Sequence, residues 1–265
     1  MPSVRTLKFA TCKSPVTGSQ SRHRPIAYIK LKRFTLRNQS RWINLTFNRN
    51  LPTSSINAIS PATTKKVASV FDDLPVNFID GGLIGLNPVK ENEGTRLYVS
   101  GKATALVRQL DGRGLMVRDL GGEIGRASAM KMVYASSTKG AFTLFAAVAV
   151  MAELTGLRDE LFQELSESQP NTLASIERML PRIPLDANRW IFEMNEIAST
   201  YESLGVTSHF HKGAGDIMQL ANRTPLATGT RETAIHNLAL TDVLRHYVDA
   251  INQNEGHTEK QKPTR

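Results

Sequence analysis

The sequence predicts a chain that passes from α+β into mainly α structure: a short run of strands and helices, then an all-helical half. Three observations carry that reading. Between residues 54 and 124, short β-branched or aromatic runs closed by glycine alternate with helical stretches. From Gly125 onward, apolar residues recur at helical spacing and no further strand-like run follows. The first 71 residues differ from both, with 13 Lys or Arg and no Asp or Glu. Four segments result: a basic stretch 1–53 read as disordered or non-native, an α/β part 54–124, a helical part 125–252 and a flexible tail 253–265.

Ser60-Pro61 suits a helix start, because serine caps and proline fits the first turn; Lys65 to Phe71 continues it with Val67, Val70 and Phe71 on one face. Val76 to Asp80 reads as a strand that ends in a turn at Gly81-Gly82. Arg96 to Ser100 is a second strand closed by Gly101. Thr104 to Leu110 is a short helix, Asp111 to Gly114 a turn, and Leu115 to Leu120 a third strand. One long helix follows from Ala127 to Leu154, stopped by Gly156. Amphipathic stretches then run Asp159–Leu165, Thr172–Leu180, Ala187–Leu204 and Thr233–Ile251, and the polar stretch from Gln253 is expected to fray.

The chain of 265 residues has 40% apolar residues and a formal charge of +9. Beyond Phe71 the balance reverses, to 20 basic against 24 acidic residues. Cys12 is the only cysteine, which excludes an intrachain disulfide and a thiolate-rich zinc site and fits a reducing, cytoplasmic setting. The basic front has a composition that suits a mitochondrial transit peptide, a nucleic-acid arm or a disordered tail; its aromatics (Phe9, Tyr28, Phe34, Trp42, Phe47) form no recognised motif, and nucleic acid is not expected as a partner. The most apolar run, Ala141 to Ala152, is shorter than the roughly 18 residues a membrane span needs, and reads as a buried helix.

The segment GRASAMKMVYASSTKG, Gly125 to Gly140, carries the chemistry. It sets Lys131 on the early turns of a helix after a strand, where burial can tune an amine for proton transfer; the plain alternative is a lysine that reaches solvent. Lys139 lies eight residues on, about 80° around an α-helix, as a second candidate for the cleft or for a solvated face. Thr138 faces nearly the same way as Lys131. The glycines of DGGLIG, Asp80 to Gly85, either offer backbone N–H groups to an anion or make a tight strand exit. The sequence Gly121-Gly122-Glu123-Ile124-Gly125 after a strand imitates a dinucleotide loop but has the wrong glycine spacing. His209-Phe210-His211 lacks a supporting carboxylate or cysteine, so no metal is expected. Glu193, Glu196 and Asp216 read as solvated faces or as partners of Arg189 and Lys212.

INAISPAT (Ile56–Thr63), FIDGGLIG (Phe78–Gly85), GTRLYVSG (Gly94–Gly101) and GRASAMKM with Thr138-Lys139-Gly140 together resemble the β-hydroxyacid dehydrogenase superfamily, in its branch with a 6-phosphogluconate dehydrogenase C-terminal-like domain. The similarity continues through RWIFEMNEIAST (Arg189–Thr200) and KGAGD (Lys212–Asp216). The resemblance implies the last strands and helices of a Rossmann domain followed by the family's helical domain, a homodimer through that domain, and hydride transfer between a small hydroxy acid and NAD or NADP. It places Lys131 as the acid/base, Gly85, Tyr134 and Lys139 near the substrate, and Asn57 near the nicotinamide. Ala135 stands where many members have a substrate-holding asparagine, and of a serine-glycine-glycine triplet only Gly85 remains, in Ile84-Gly85-Leu86, which implies a substrate other than a sugar acid phosphate. With Gly18 the only glycine in the first 80 residues, the dinucleotide loop is missing; the chain is expected to start near the end of the Rossmann domain, and cofactor binding by this polypeptide alone is not expected. The alternative is a non-catalytic helical dimerisation or binding module.

Overall fold

The computed structural model describes residues 53–74, 76–85, 94–229 and 238–259. The basic front, Cys12 and Leu86 lie outside the described residues. The chain divides into two compact units, one reaching Asn57 and comprising Pro61–Ser128, the other comprising Ala58–Ser60 and the chain from Ala129.

The first unit is a four-stranded mixed sheet in the order β1-β2-β3-β4, with β1 Thr53–Ile56, β2 Phe78–Ile84, β3 Arg96–Ser100 and β4 Met116–Asp119. β1 and β2 pair in parallel, joined by α1, Pro61–Ser69, while β2 and β3 are antiparallel and β3 and β4 parallel. Ile79, Leu97, Val99 and Val107 form its core. Gly81 and Gly82 do not turn the chain as expected: they continue β2, paired with Val99 and Tyr98, and the strand ends only at Gly85. Val70 is 73% exposed beyond the end of α1, so the expected apolar face is not the buried one. Thr64 is buried instead, its hydroxyl 2.7 Å from that of Ser128. Thr104–Leu110 forms a 3-10 helix.

The buried carboxylate of Asp80 organises this unit. It accepts hydrogen bonds from Ser100 Oγ (3.1 Å), Gly125 N (3.0 Å), Ser128 N (3.0 Å) and Ser128 Oγ (2.5 Å). Two of these are backbone donors at the start of α2, Arg126–Ala135, which no intrahelical carbonyl can satisfy. A strand carboxylate therefore caps the helix that carries Lys131.

In the second unit, α2 passes through a π-helical turn, Ser136–Gly140, into α3, Ala141–Thr155, which ends at Gly156 in the left-handed conformation (φ 70°). Then follow α4 Arg158–Ser168, α5 Pro170–Met179, α6 Ile183–Ser203, α7 His209–Arg223 and α8 Leu240–Glu259. Met132, Ala146, Ala149, Ile176, Ile183, Met194, Ile197, Met218, Leu244 and Tyr247 lie in its core. Three expectations change. Residues 209–223, not anticipated as a helix, form α7; the first part of Thr233–Ile251 falls on residues 230–237, outside the described residues; and α8 runs on to Glu259 where fraying from Gln253 was expected. The helical run Arg126–Thr155 is also 30 residues long with a mean hydropathy of 1.3, long and apolar enough by those measures to cross a membrane. Its side chains at Thr143, Ala146, Ala149 and Val150 are buried in the protein's own core.

Candidate functional site

Helix α6 turns a stripe of Trp190, Glu193, Met194 and Ile197 inward, at the three- and four-residue spacing of one helix face. Glu193 is the exception in chemistry: a carboxylate only 3% exposed. A buried charge needs a counter-charge, and Lys139 Nζ supplies it in a direct ion pair with Oε2. The same ammonium lies 5.2 Å from the centre of the Trp190 ring, within cation–π range. Glu193 is thus neither solvated nor paired with Arg189 or Lys212, as the sequence had suggested. Arg189 pairs with Asp186 at 2.8 Å, Lys212 faces Glu202 at 3.6 Å, and Glu196 Oε2 accepts the Ser60 N–H at 2.6 Å.

Lys131 joins the cluster electrostatically. Burial draws its amine below the ordinary lysine value, Glu193 works in the opposite direction, and Arg189 adds to the lowering. Lys139 is drawn down to about 8, first by burial, with Glu193 opposing and Lys131 and Arg189 assisting. Two amines and one carboxylate thus share a poorly hydrated site, and the amines are poised nearer neutrality than ordinary lysines. Glu193 Oε1 and Trp190 Nε1 are buried without hydrogen-bond partners among the described residues.

The π turn brings a second buried polar group beside this one. Ser136 Oγ lies 2.7 Å from Tyr201 Oη and 2.8 Å from His211 Nε2, and the Tyr201 and His211 rings are 4.5 Å apart. His211 closes on Gly140, where an added Cβ would lie 3.3 Å from Nε2. Burial holds the His211 imidazole below its usual value. His209 and Phe210 are exposed while His211 is 5% exposed, so the two imidazoles point into different environments and are helix residues, not loop residues. Among the described residues no three His, Cys, Asp or Glu side chains converge as a metal would require.

Of the residues singled out from sequence, the structure brings together Lys131 and Lys139. Tyr134, three residues after Lys131, is 38% exposed, and its carbonyl accepts the hydroxyls of Ser137 and Thr138. Gly85 and Asn57 belong to the other unit. Gly85 has φ 122°, and a Cβ there would fall 2.7 Å from the Gly94 carbonyl oxygen, which makes it a strand exit that no larger residue fits. The Asn57 side chain donates to Ser55 Oγ at 3.0 Å. Glu193 and Trp190 were missed, although their spacing to Met194 and Ile197 marks the buried face of α6.

Residues 152–221 match a family model described as a domain of unknown function, DUF1932. A relative from Methanothermus fervidus, an uncharacterized 28.5 kDa protein in a 7S RNA 5' region, is 29% identical over 114 residues, 43% of this chain and 43% of that protein. The chain thus spans less than half the length of this curated relative in the matched region. A conserved hypothetical protein from Sinorhizobium meliloti 1021 shares the fold with a TM-score of 0.58 at 20% identity, over 78% of this chain and 67% of that one. MTH1747, a conserved protein whose structure was described as similar to 3-hydroxyacid dehydrogenases, matches at 22% identity with a TM-score of 0.47, over 76% and 66%. Residues 152–221 thus match the DUF1932 model, and the chain shares the fold of the Sinorhizobium meliloti protein.

Proposed function

We propose that this chain carries the proton-exchanging, substrate-side part of an NAD(P)-dependent dehydrogenase of a small hydroxy acid. The observation that supports the reading is the buried amine of Lys131, five residues into a helix whose start is fixed by Asp80 and drawn toward neutrality by burial. A neutral amine there accepts the hydroxyl proton when the alcohol carbon is oxidised, and the ammonium returns it in the reverse direction. Lys139 lies in the same cluster, its amine ion-paired with Glu193. The nicotinamide cofactor fits the described residues poorly. The β1–α1 connection reads Asn57-Ala58-Ile59-Ser60, without the glycines that let a backbone approach a pyrophosphate, and the Asn57 amide already donates to Ser55. No step is therefore assigned through it.

The test is turnover of short hydroxy acids with NAD and NADP by the purified chain. Lys131→Ala is expected to abolish it, a loss of about a hundredfold or more, while far-UV circular dichroism stays unchanged. A cofactor titration flat to millimolar concentration overturns the reading for this polypeptide.

A second reading, a non-catalytic module that dimerises through its helices, is favoured by one observation. On α3, Leu144, Val148, Met151 and Leu154 are 58%, 39%, 63% and 49% exposed along one apolar strip. Sedimentation as a dimer that Met151→Glu converts to monomer supports this reading; a monomeric parent chain refutes it.

A further inference from the structure

We infer that Glu193 is a positioning residue for both lysines: its buried carboxylate holds Lys139 against Trp190 and is the counter-charge that Lys131 and Lys139 share. The chemical use of such a pair rests on the dehydrogenase reading above, but its test does not.

The geometry carries the inference. Glu193 is nearly inaccessible, and its Oε2 is taken by Lys139, whose side chain is itself only 14% exposed. Its Oε1 is buried and has no hydrogen-bond partner among the described residues, so among these the carboxylate is used on one side only. The charged groups around it are unequal in number. Lys131 approaches from α2, Lys139 from the π turn and Arg189 from α6 itself, while α7 contributes His211, occupied by Ser136. Among the described residues, both amines thus act with this one buried carboxylate, Lys139 in direct contact. Arg189 is exposed and paired with Asp186. Lys139 feels Lys131 as well as Glu193, and both amines feel Glu193, so the titration of one bears on the other. In that arrangement one ammonium stays with the carboxylate while the other amine exchanges the substrate proton. Without the carboxylate, neither amine would hold a proton well in so buried a place.

Glu193→Gln, in the full chain with lysine side chains labelled with 15N, tests this. Lys131→Arg and Lys139→Arg assign the two amine signals. The carboxylate raises both amines and burial lowers both, so removing only the charge is expected to lower both titration midpoints by about one unit, a tenfold loss of proton affinity. Glu193→Asp is expected to restore part of the shift. If only Lys139 moves, Glu193 is a local ion-pair partner and the shared role is wrong. If both midpoints rise toward the ordinary value near 10.5, the substitution has loosened the packing and hydrated the amines, and the role is structural.

A second measurement leaves Glu193 in place. Lys131→Met removes the like charge and is expected to raise the Lys139 midpoint; no change overturns the coupling. Neither titration requires cofactor or substrate. A flat cofactor titration therefore removes the dehydrogenase reading and leaves this inference standing, and unlinked titrations do the reverse.

Discussion

Replacing Asp80 tests whether a single strand carboxylate fixes the start of the lysine-bearing helix. Its side chain is fully buried and receives four hydrogen bonds, two from backbone N–H groups of Gly125 and Ser128 and two from the hydroxyls of Ser100 and Ser128. Asp80→Ala leaves all four donors buried without an acceptor and removes the helix cap. A lost cap costs roughly 0.5–2 kcal/mol, and a buried donor left unsatisfied roughly 1–3. The hydroxyls can rotate toward other acceptors, Ser128 toward Thr64 at 2.7 Å, so the two backbone donors dominate. The expected loss is about 3–5 kcal/mol, in the range for breaking a buried charged network. Asp80→Asn keeps one carbonyl oxygen for the backbone donors, and its amide can donate to a rotated Ser128 hydroxyl, so its cost is expected at about 1–2 kcal/mol. Urea unfolding followed by circular dichroism at matched pH measures both. An alanine variant within about 0.5 kcal/mol of the parent, the size of an ordinary surface substitution, would refute the assignment. So would an alanine variant equal to the asparagine one, since asparagine retains an acceptor for the two backbone donors.

Three further outcomes follow from the same geometry. Because the folded-state Lys139 amine lies near 8 and its ordinary value near 10.5, the unfolded chain holds more protons between those pH values, so stability is expected to rise with pH across that window. One such proton contributes at most about 1.4 kcal/mol per pH unit, and Lys139→Met should flatten the rise in urea titrations run at pH 8, 9 and 10. Gly140→Ala would ordinarily gain up to about 1 kcal/mol of helix propensity, but the new methyl meets His211, which is buried and held by Ser136 and Tyr201; a net loss of about 1–2 kcal/mol is expected, and a raised melting temperature would contradict it. Glu193→Ala should cost about 3–5 kcal/mol by stranding Lys139, whereas the double replacement Glu193→Leu with Lys139→Met should cost clearly less, which a double-mutant cycle in urea will show.

Much of the fold was legible because local chemistry and tertiary packing agree there. Arg96 to Ser100 is the strand its alternation predicts, and Gly156 stops the long helix. Where they disagree, packing decides. Gly81 and Gly82 look like a turn in isolation, yet they lie in β2 between two partner strands. The segment 209–223 reads as a loop because Gly213 and Gly215 interrupt it, although buried His211, Ala214, Met218 and Ala221 keep the helical spacing. Lys131 was singled out from its motif, whereas Glu193 was hidden among the other charged residues of an amphipathic helix. Only its register with Trp190 and Ile197 separates it from the solvated face.

The pairing of Lys131 with Lys139 shows why spacing alone misplaces a site. In an uninterrupted α-helix, residues eight apart diverge by about 80°, and Thr138, seven on, would share the Lys131 face. The π turn at Ser136–Gly140 amounts to one inserted residue, so every later position takes the direction of the residue before it. Lys139 then occupies the seventh place, about 20° from Lys131, and both amines feel the one buried carboxylate of α6. The turn is held open by side chains that take up its loosened backbone: Thr143 Oγ1 donates to the carbonyls of Lys139 (3.1 Å) and Gly140 (2.8 Å), and Ser136 is held by Tyr201 and His211. Ser136, which is the first residue of that turn and lies between the two lysines in sequence, is in this way tied to α7 through His211.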